Sequence, residues 1–171
     1  MQVQGKVAVV TGAGRMRSIG RPIAVELARA GCDVVLIETV GVGQSEVEVA
    51  AAADTTLVLL APGMGDSIQA AKAGILEIAD IFVINKADRP GAEETKRDLM
   101  QMLELGNLPH DAWRPPIILA VGTTGEGVSD IWDAVLEHRA ASEASGELQR
   151  RRTFRLSEEL REIIAQRLGR R

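Results

Sequence analysis

The chain has 171 residues, of which 46% are hydrophobic and 26% charged, as in ordinary globular proteins, and its length suits one domain with a short appendage. A net charge of −4 and a pI near 5.3 argue against a general nucleic-acid or membrane-surface binder. The single Cys32 excludes an internal disulfide and suits a reducing cytoplasm; no apolar run is long enough to span a membrane, and residues 1–5 lack a signal-peptide pattern.

Lys6–Val10 reads as a short buried strand and Ile19–Ala30 as an amphipathic helix, with a glycine-rich loop from Thr11 to Gly20 between them. Glycines permit close backbone approach, and a helix start offers N–H groups to an anion, so Gly12, Gly14, Arg15, Ser18 and Gly20 are candidate phosphate ligands. Asp33–Ile37 is the second strand. From Gly5 to Leu36 the sequence resembles the opening βαβ unit of short-chain dehydrogenases. That resemblance implies NAD(P) bound by Gly12, Gly14, Gly20 and Glu38, with Glu38 favouring a free 2′-hydroxyl and Arg15 and Arg17 a phosphorylated one. Such enzymes use a Tyr-x-x-x-Lys pair, and the chain contains no tyrosine, so hydride-transfer catalysis is not expected.

Further along, Thr56–Ala61, Ile81–Ile84 and Ile117–Val121 read as strands three to five. Helical patterns occupy Ser67–Ile78, Ala92–Leu105 and Ser129–Arg139, with a shorter one near Val47–Ala53. Alternating elements with near-continuous apolar strands predict an α/β fold, a doubly wound five-stranded parallel sheet of the Rossmann or P-loop-like kind in the order 2-1-3-4-5. Ala141–Gly146 reads as a hinge. Beyond it Leu156, Leu160, Ile163, Ile164 and Leu168 form one apolar helical stripe, to be buried on its own domain or on a second subunit.

At the predicted carboxyl end of strand four stands Asn85-Lys86-Ala87-Asp88, where open parallel sheets place their sites. An aspartate can accept two N–H bonds from the edge of guanine, and a lysine stem can lie across a flat base. With Glu38-Thr39-Val40-Gly41, Ala61-Pro62-Gly63-Met64-Gly65-Asp66 and Thr123-Thr124-Gly125-Glu126-Gly127 in the same order, residues 37–168 resemble the MeaB/ArgK family, GTPase chaperones of methylmalonyl-CoA mutase. The resemblance implies that Asn85, Lys86, Asp88 and Thr123 hold guanine. It implies that Glu38 senses Mg²⁺ with GDP or GTP, that 141–171 is a helical dimerisation arm, and that a mutase is a partner where the docking surface survives.

The string Gly-x-x-x-x-Gly-Lys-Ser/Thr, whose lysine and hydroxyl serve the phosphates and Mg²⁺ of such GTPases, does not occur in these 171 residues. The expectation is a chimera joined near Val35–Glu38, with residues 1–36 dehydrogenase-like and 37–140 GTPase-like, followed by the arm. Three functions follow: a hydrolysis-deficient guanine-nucleotide module, a non-catalytic NAD(P) module, or a structural product without ligand. His110 and His138 read as surface residues, Cys32 as a small buried hydrophobe, and Trp113 and Trp132 as packing residues. Glu93, Glu94, Lys96, Arg97 and Asp98 read as a solvated helix face.

Overall fold

A computed structural model describes residues 7–11, 23, 30–38, 53–63, 78–106 and 112–168. The chain divides into two compact units, residues 1–53 and 54–171. In the first, β1 (Val7–Thr11) and β2 (Val34–Glu38) pair in parallel, with Val7 opposite Val34 and Thr11 opposite Glu38. Gly31, at φ 89°, makes the left-handed turn that leads through Cys32 into β2. Cys32 is a free, half-buried thiol, more accessible than the buried hydrophobe expected.

The second unit contains β3 (Leu57–Leu60), β4 (Ile81–Asn85) and β5 (Ile117–Ala120), all parallel and in the order β3-β4-β5. Within each unit the neighbours are those predicted, β1 beside β2 in the first and β3-β4-β5 in the second, in keeping with the α/β fold expected. Three helices are described: α1 (Ala92–Leu105), α2 (Val128–Ala144) and α3 (Glu147–Leu168). The predicted helices over 19–30, 47–53 and 67–78 lie almost wholly outside the described residues.

Four consecutive apolar residues make β4 a strand that must be covered on both faces, and they are: Ile81, Phe82 and Ile84 are fully buried and Val83 nearly so. Successive side chains point to opposite sides. Phe82 joins Leu60, Ala79 and Leu99 under α1, with Val58, Met102, Leu103 and Ile117 around them. Ile81 and Val83 join Ala120 and Ala134 under α2, with Leu57, Ile118, Ile131 and Val135. α1 presents Ala92, Thr95 and Leu99 inward at helical spacing; Gly91, at φ 92°, opens it, and Glu93 and Glu94 in its first turn complement the positive end of the helix dipole. Its charged face is solvated, as predicted, with Lys96 half-buried.

The sequence reading of His138 is wrong. On α2, Ala134, His138 and Ser142 face inward, and His138 is only 1% exposed. Its Nδ1 meets Thr55 Oγ1 at 2.9 Å, and its Nε2 lies 3.2 Å from Asp80 Oδ1 and 3.1 Å from Ser142 Oγ. Little near His138 in the sequence marks this environment: Ser142 is one helical turn away, but Thr55 and Asp80 arrive from 83 and 58 positions away. Asp80, at the start of β4, is itself buried, and Arg151 of α3 grips it with Nη1 to Oδ2 at 3.1 Å and Nη2 to Oδ1 at 3.0 Å. The Thr56 N–H donates to the same carboxylate at 2.8 Å. Trp113 closes the cluster: its indole N–H donates to the Asp80 carbonyl at 2.8 Å, and its ring meets His138 edge-on with centroids 5.1 Å apart. Trp132 is half exposed and packs far less than expected.

α2 runs through Ala144, so the predicted hinge reduces to Ser145–Gly146, with Gly146 at φ 73°. α3 starts with Arg151 on Asp80 and Arg152 and Arg155 on Asp54, tying its first turns to the amino ends of β3 and β4. Beyond them Leu156, Leu160, Ile163 and Ile164 are all exposed in the single chain, so the stripe is not buried on its own domain. Among the described residues no helix is long and apolar enough to cross a membrane.

Burial alone would push the Asp80 carboxyl up, but the bonds from His138, Arg151 and the Thr56 N–H outweigh it and hold it below the ordinary carboxylate range. The stabilisation is therefore complete above the unfolded value of about 3.9 and is lost as pH falls through the lower folded value. Urea unfolding free energies are expected to be flat from neutral pH to about 5 on account of Asp80 and to fall below about 4, and Asp80→Asn should flatten that fall. Asp80→Ala, which strips an acceptor from buried partners, should cost about 3–5 kcal/mol. Arg161→Ala, which breaks an exposed pair with Glu158, should cost under about 1 kcal/mol. Equal losses from the two would contradict the central role of the buried carboxylate.

Candidate functional site

At the carboxyl end of β4 the sheet ends and the backbone turns sharply. Asn85 closes the strand, and its side-chain Oδ1 accepts two backbone N–H bonds, from Lys86 at 2.7 Å and from Gly122 at 3.1 Å. Two donors on one oxygen settle the orientation of the amide, leaving Nδ2 as the free donor. Lys86 is the sole described residue other than glycine with positive φ, at 59°. That left-handed conformation costs an L-residue about 1–2 kcal/mol, and such strain gathers at functional sites. The turn is held by the Ala87 N–H on the Ala120 carbonyl, 3.0 Å, and by the Arg89 N–H on the Lys86 carbonyl, 3.0 Å. The Lys86 and Asp88 side chains stand exposed, open to a ligand.

A second loop, residues 121–127, leaves the end of β5 beside it. Val121 and Glu126 form a bridge, with the Val121 N–H on the Glu126 carbonyl at 3.0 Å. Inside the ring so formed, the Val121 carbonyl accepts the N–H groups of Thr124 and Gly125 and the Thr124 hydroxyl. The hydroxyl folded into the loop is thus that of Thr124, while Thr123, the residue singled out from the sequence, is exposed at the loop surface. Gly122 cannot gain a Cβ without pressing on Asn85 Oδ1 at 3.3 Å. The structure therefore brings Asn85, Lys86 and Asp88 to one strand end and joins them to the 122–124 loop through Gly122. The Gly122 N–H bond to Asn85 was not legible in the sequence, since a glycine carries no side-chain signal.

Glu38 is exposed at the end of β2, paired across the sheet with Thr11. Gly12, Gly14, Arg15, Ser18 and Gly20 lie outside the described residues, as does His110. Among the described residues no group of three or more His, Cys, Asp or Glu side chains forms a metal site. Glu38 offers a single carboxylate, and Mg²⁺ is commonly held by one or two carboxylates together with phosphate oxygens and waters.

The chain was compared with known families, proteins and structures. The model of the family described as methylmalonyl Co-A mutase-associated GTPase MeaB matches residues 9–171. A putative GTPase of Pyrococcus horikoshii is 50% identical over 137 residues, covering 79% of this chain and 43% of the relative. GTPase ArgK of Escherichia coli is 39% identical over 137 residues, covering 77% and 41%. The chain thus spans less than half the length of these relatives. The crystal structure of LAO/AO transport system kinase superposes with a TM-score of 0.77 at 31% identity, covering 95% of this chain and 58% of that one. The family match starts at residue 9 and runs through the stretch read as dehydrogenase-like, so a chimera joined near Val35–Glu38 is not supported.

If the Lys86 conformation is strained, Lys86→Gly should raise the unfolding free energy by about 1 kcal/mol in urea titrations while removing the exposed lysine stem. A loss of stability would mean that the lysine side chain supports the turn more than its backbone opposes it.

Proposed function

Given that the chain belongs to the MeaB family of methylmalonyl-CoA mutase-associated GTPases, we propose that it is a guanine-nucleotide-binding module whose base site is the Asn85–Asp88 turn with the 122–124 loop. The observation that carries this reading is the doubly anchored Asn85, which fixes the first residue of the turn and joins it to the second loop. Asp88 is the acceptor for the two N–H groups of the guanine edge, Lys86 lays its stem along the base, and Thr123 lines the rim. The free Asn85 Nδ2 faces a purine acceptor. An adenine offers an acceptor where guanine offers a donor, so the Asp88 carboxylate rejects it by repulsion as well as by a lost bond.

Hydrolysis is slow in this reading. Phosphate affinity and transition-state charge stabilisation in such enzymes come from a Gly-x-x-x-x-Gly-Lys-Ser/Thr loop, which these 171 residues do not contain. Mg²⁺ then arrives with the nucleotide, held mainly by its phosphates. We further propose that α3 is an arm through which two copies associate, since its stripe is apolar and exposed, and that a methylmalonyl-CoA mutase is the partner in the cytoplasm. No described feature favours an NAD(P) site.

Titration calorimetry of nucleotide-stripped protein tests the base site. GDP should bind, ADP should bind at least about tenfold more weakly, and Asp88→Ala should remove the difference. Equal binding of GDP and ADP by the unsubstituted chain would overturn the reading.

A further inference from the structure

Resting on that base-site reading, we infer that Gly127, which meets no ligand, is a positioning residue for base recognition that acts through the Val121–Glu126 bridge, Gly122 and Asn85. Gly127 has φ +75°, and a Cβ built on it would lie 2.2 Å from the Leu119 carbonyl oxygen and 3.1 Å from the Ala120 Cα. Both are backbone atoms of β5, so no rotamer change makes room; the chain itself must move. Gly127 also accepts the Ile131 N–H and so opens α2. It is pinned between a strand it nearly touches and a helix it starts.

The residue before it, Glu126, supplies the carbonyl that receives the Val121 N–H. Displacing Gly127 from β5 draws that carbonyl away and opens the ring of residues 121–126. The same ring presents the Gly122 N–H to Asn85 Oδ1. With that bond lost, Asn85 keeps only its contact to the adjacent Lys86 N–H, and its amide is free to turn. Gly125 supplies an internal comparison: it shares the left-handed conformation, φ +81°, but a Cβ there meets nothing within 4 Å.

Asparagine tolerates positive φ, so Gly127→Asn and Gly125→Asn make a matched pair that differs in contact rather than backbone preference. The readouts are hydrogen exchange at the Gly122 amide, followed by NMR without nucleotide, and the ratio of GDP to ADP affinity in the full chain. Gly125→Asn should leave both within about twofold. Gly127→Asn should speed Gly122 exchange and lower the affinity ratio, each by about tenfold, with the β4 amides still protected. Faster exchange across β4 as well would mean a merely structural role and overturn the inference, as would an unchanged ratio with Gly122 still protected. Should Gly127→Asn not fold, Gly122→Ala presses on the same bond from its other end, and an unchanged affinity ratio there overturns the inference. If the unsubstituted chain shows no preference for GDP, the base-site reading fails, and Gly122 exchange still decides whether Gly127 holds the loop.

Discussion

The structure of the second unit depends on one short strand held at both ends. β4 lies in the core with no exposed side, and apolar contact alone would allow such a strand to slide along its own axis. Polar anchors prevent it. At its amino end Asp80 takes bonds from a helix, a neighbouring backbone and a buried imidazole; at its carboxyl end Asn85 takes two from the loops. A buried carboxylate is tolerable only because every one of these donors is in place. The Asn85–Asp88 turn inherits its position from that strand.

Much of this architecture was legible in the sequence, because strands and helices announce themselves by period. α1 lies where its pattern puts it, over Ala92–Leu105, and each strand falls within a residue or so of its predicted span. What was not legible is long-range. His138 has no histidine, cysteine or carboxylate at ligand spacing nearby, so its burial follows only once Thr55, Asp80 and Trp113 are brought together by the fold. The reach of α2 through the predicted hinge was missed for a local reason: Ser142 faces His138 one helical turn back, and a composition of small residues did not show it.

The site divides along the same line. The Asn85–Asp88 string was recognisable because its side chains carry the chemistry, and its place at a strand end follows from the apolar run before it. The residues that hold this string in shape are glycines and backbone amides, which are silent in composition. The dehydrogenase-like reading of the first 36 residues shows the reverse error. A glycine-rich turn between a strand and a helix suits several nucleotide-binding families, and the family match from residue 9 onward places that stretch with the rest of the chain.

Because all three strands of the second unit run the same way, the arginine clasp on Asp80 and Asp54 and the loops around Asn85 sit on opposite edges of one sheet. The edges answer to different demands. At Asp54 the clasp asks for charge of opposite sign at facing positions, a requirement that a compensating pair of substitutions can meet, whereas Asp80 must also accept the Thr56 N–H. The loop edge asks for the absence of a side chain, which no second substitution restores. The Asp54 anchorage can therefore be rebuilt with its charges exchanged, whereas at Gly127, beside β5, any Cβ would run into the Leu119 carbonyl.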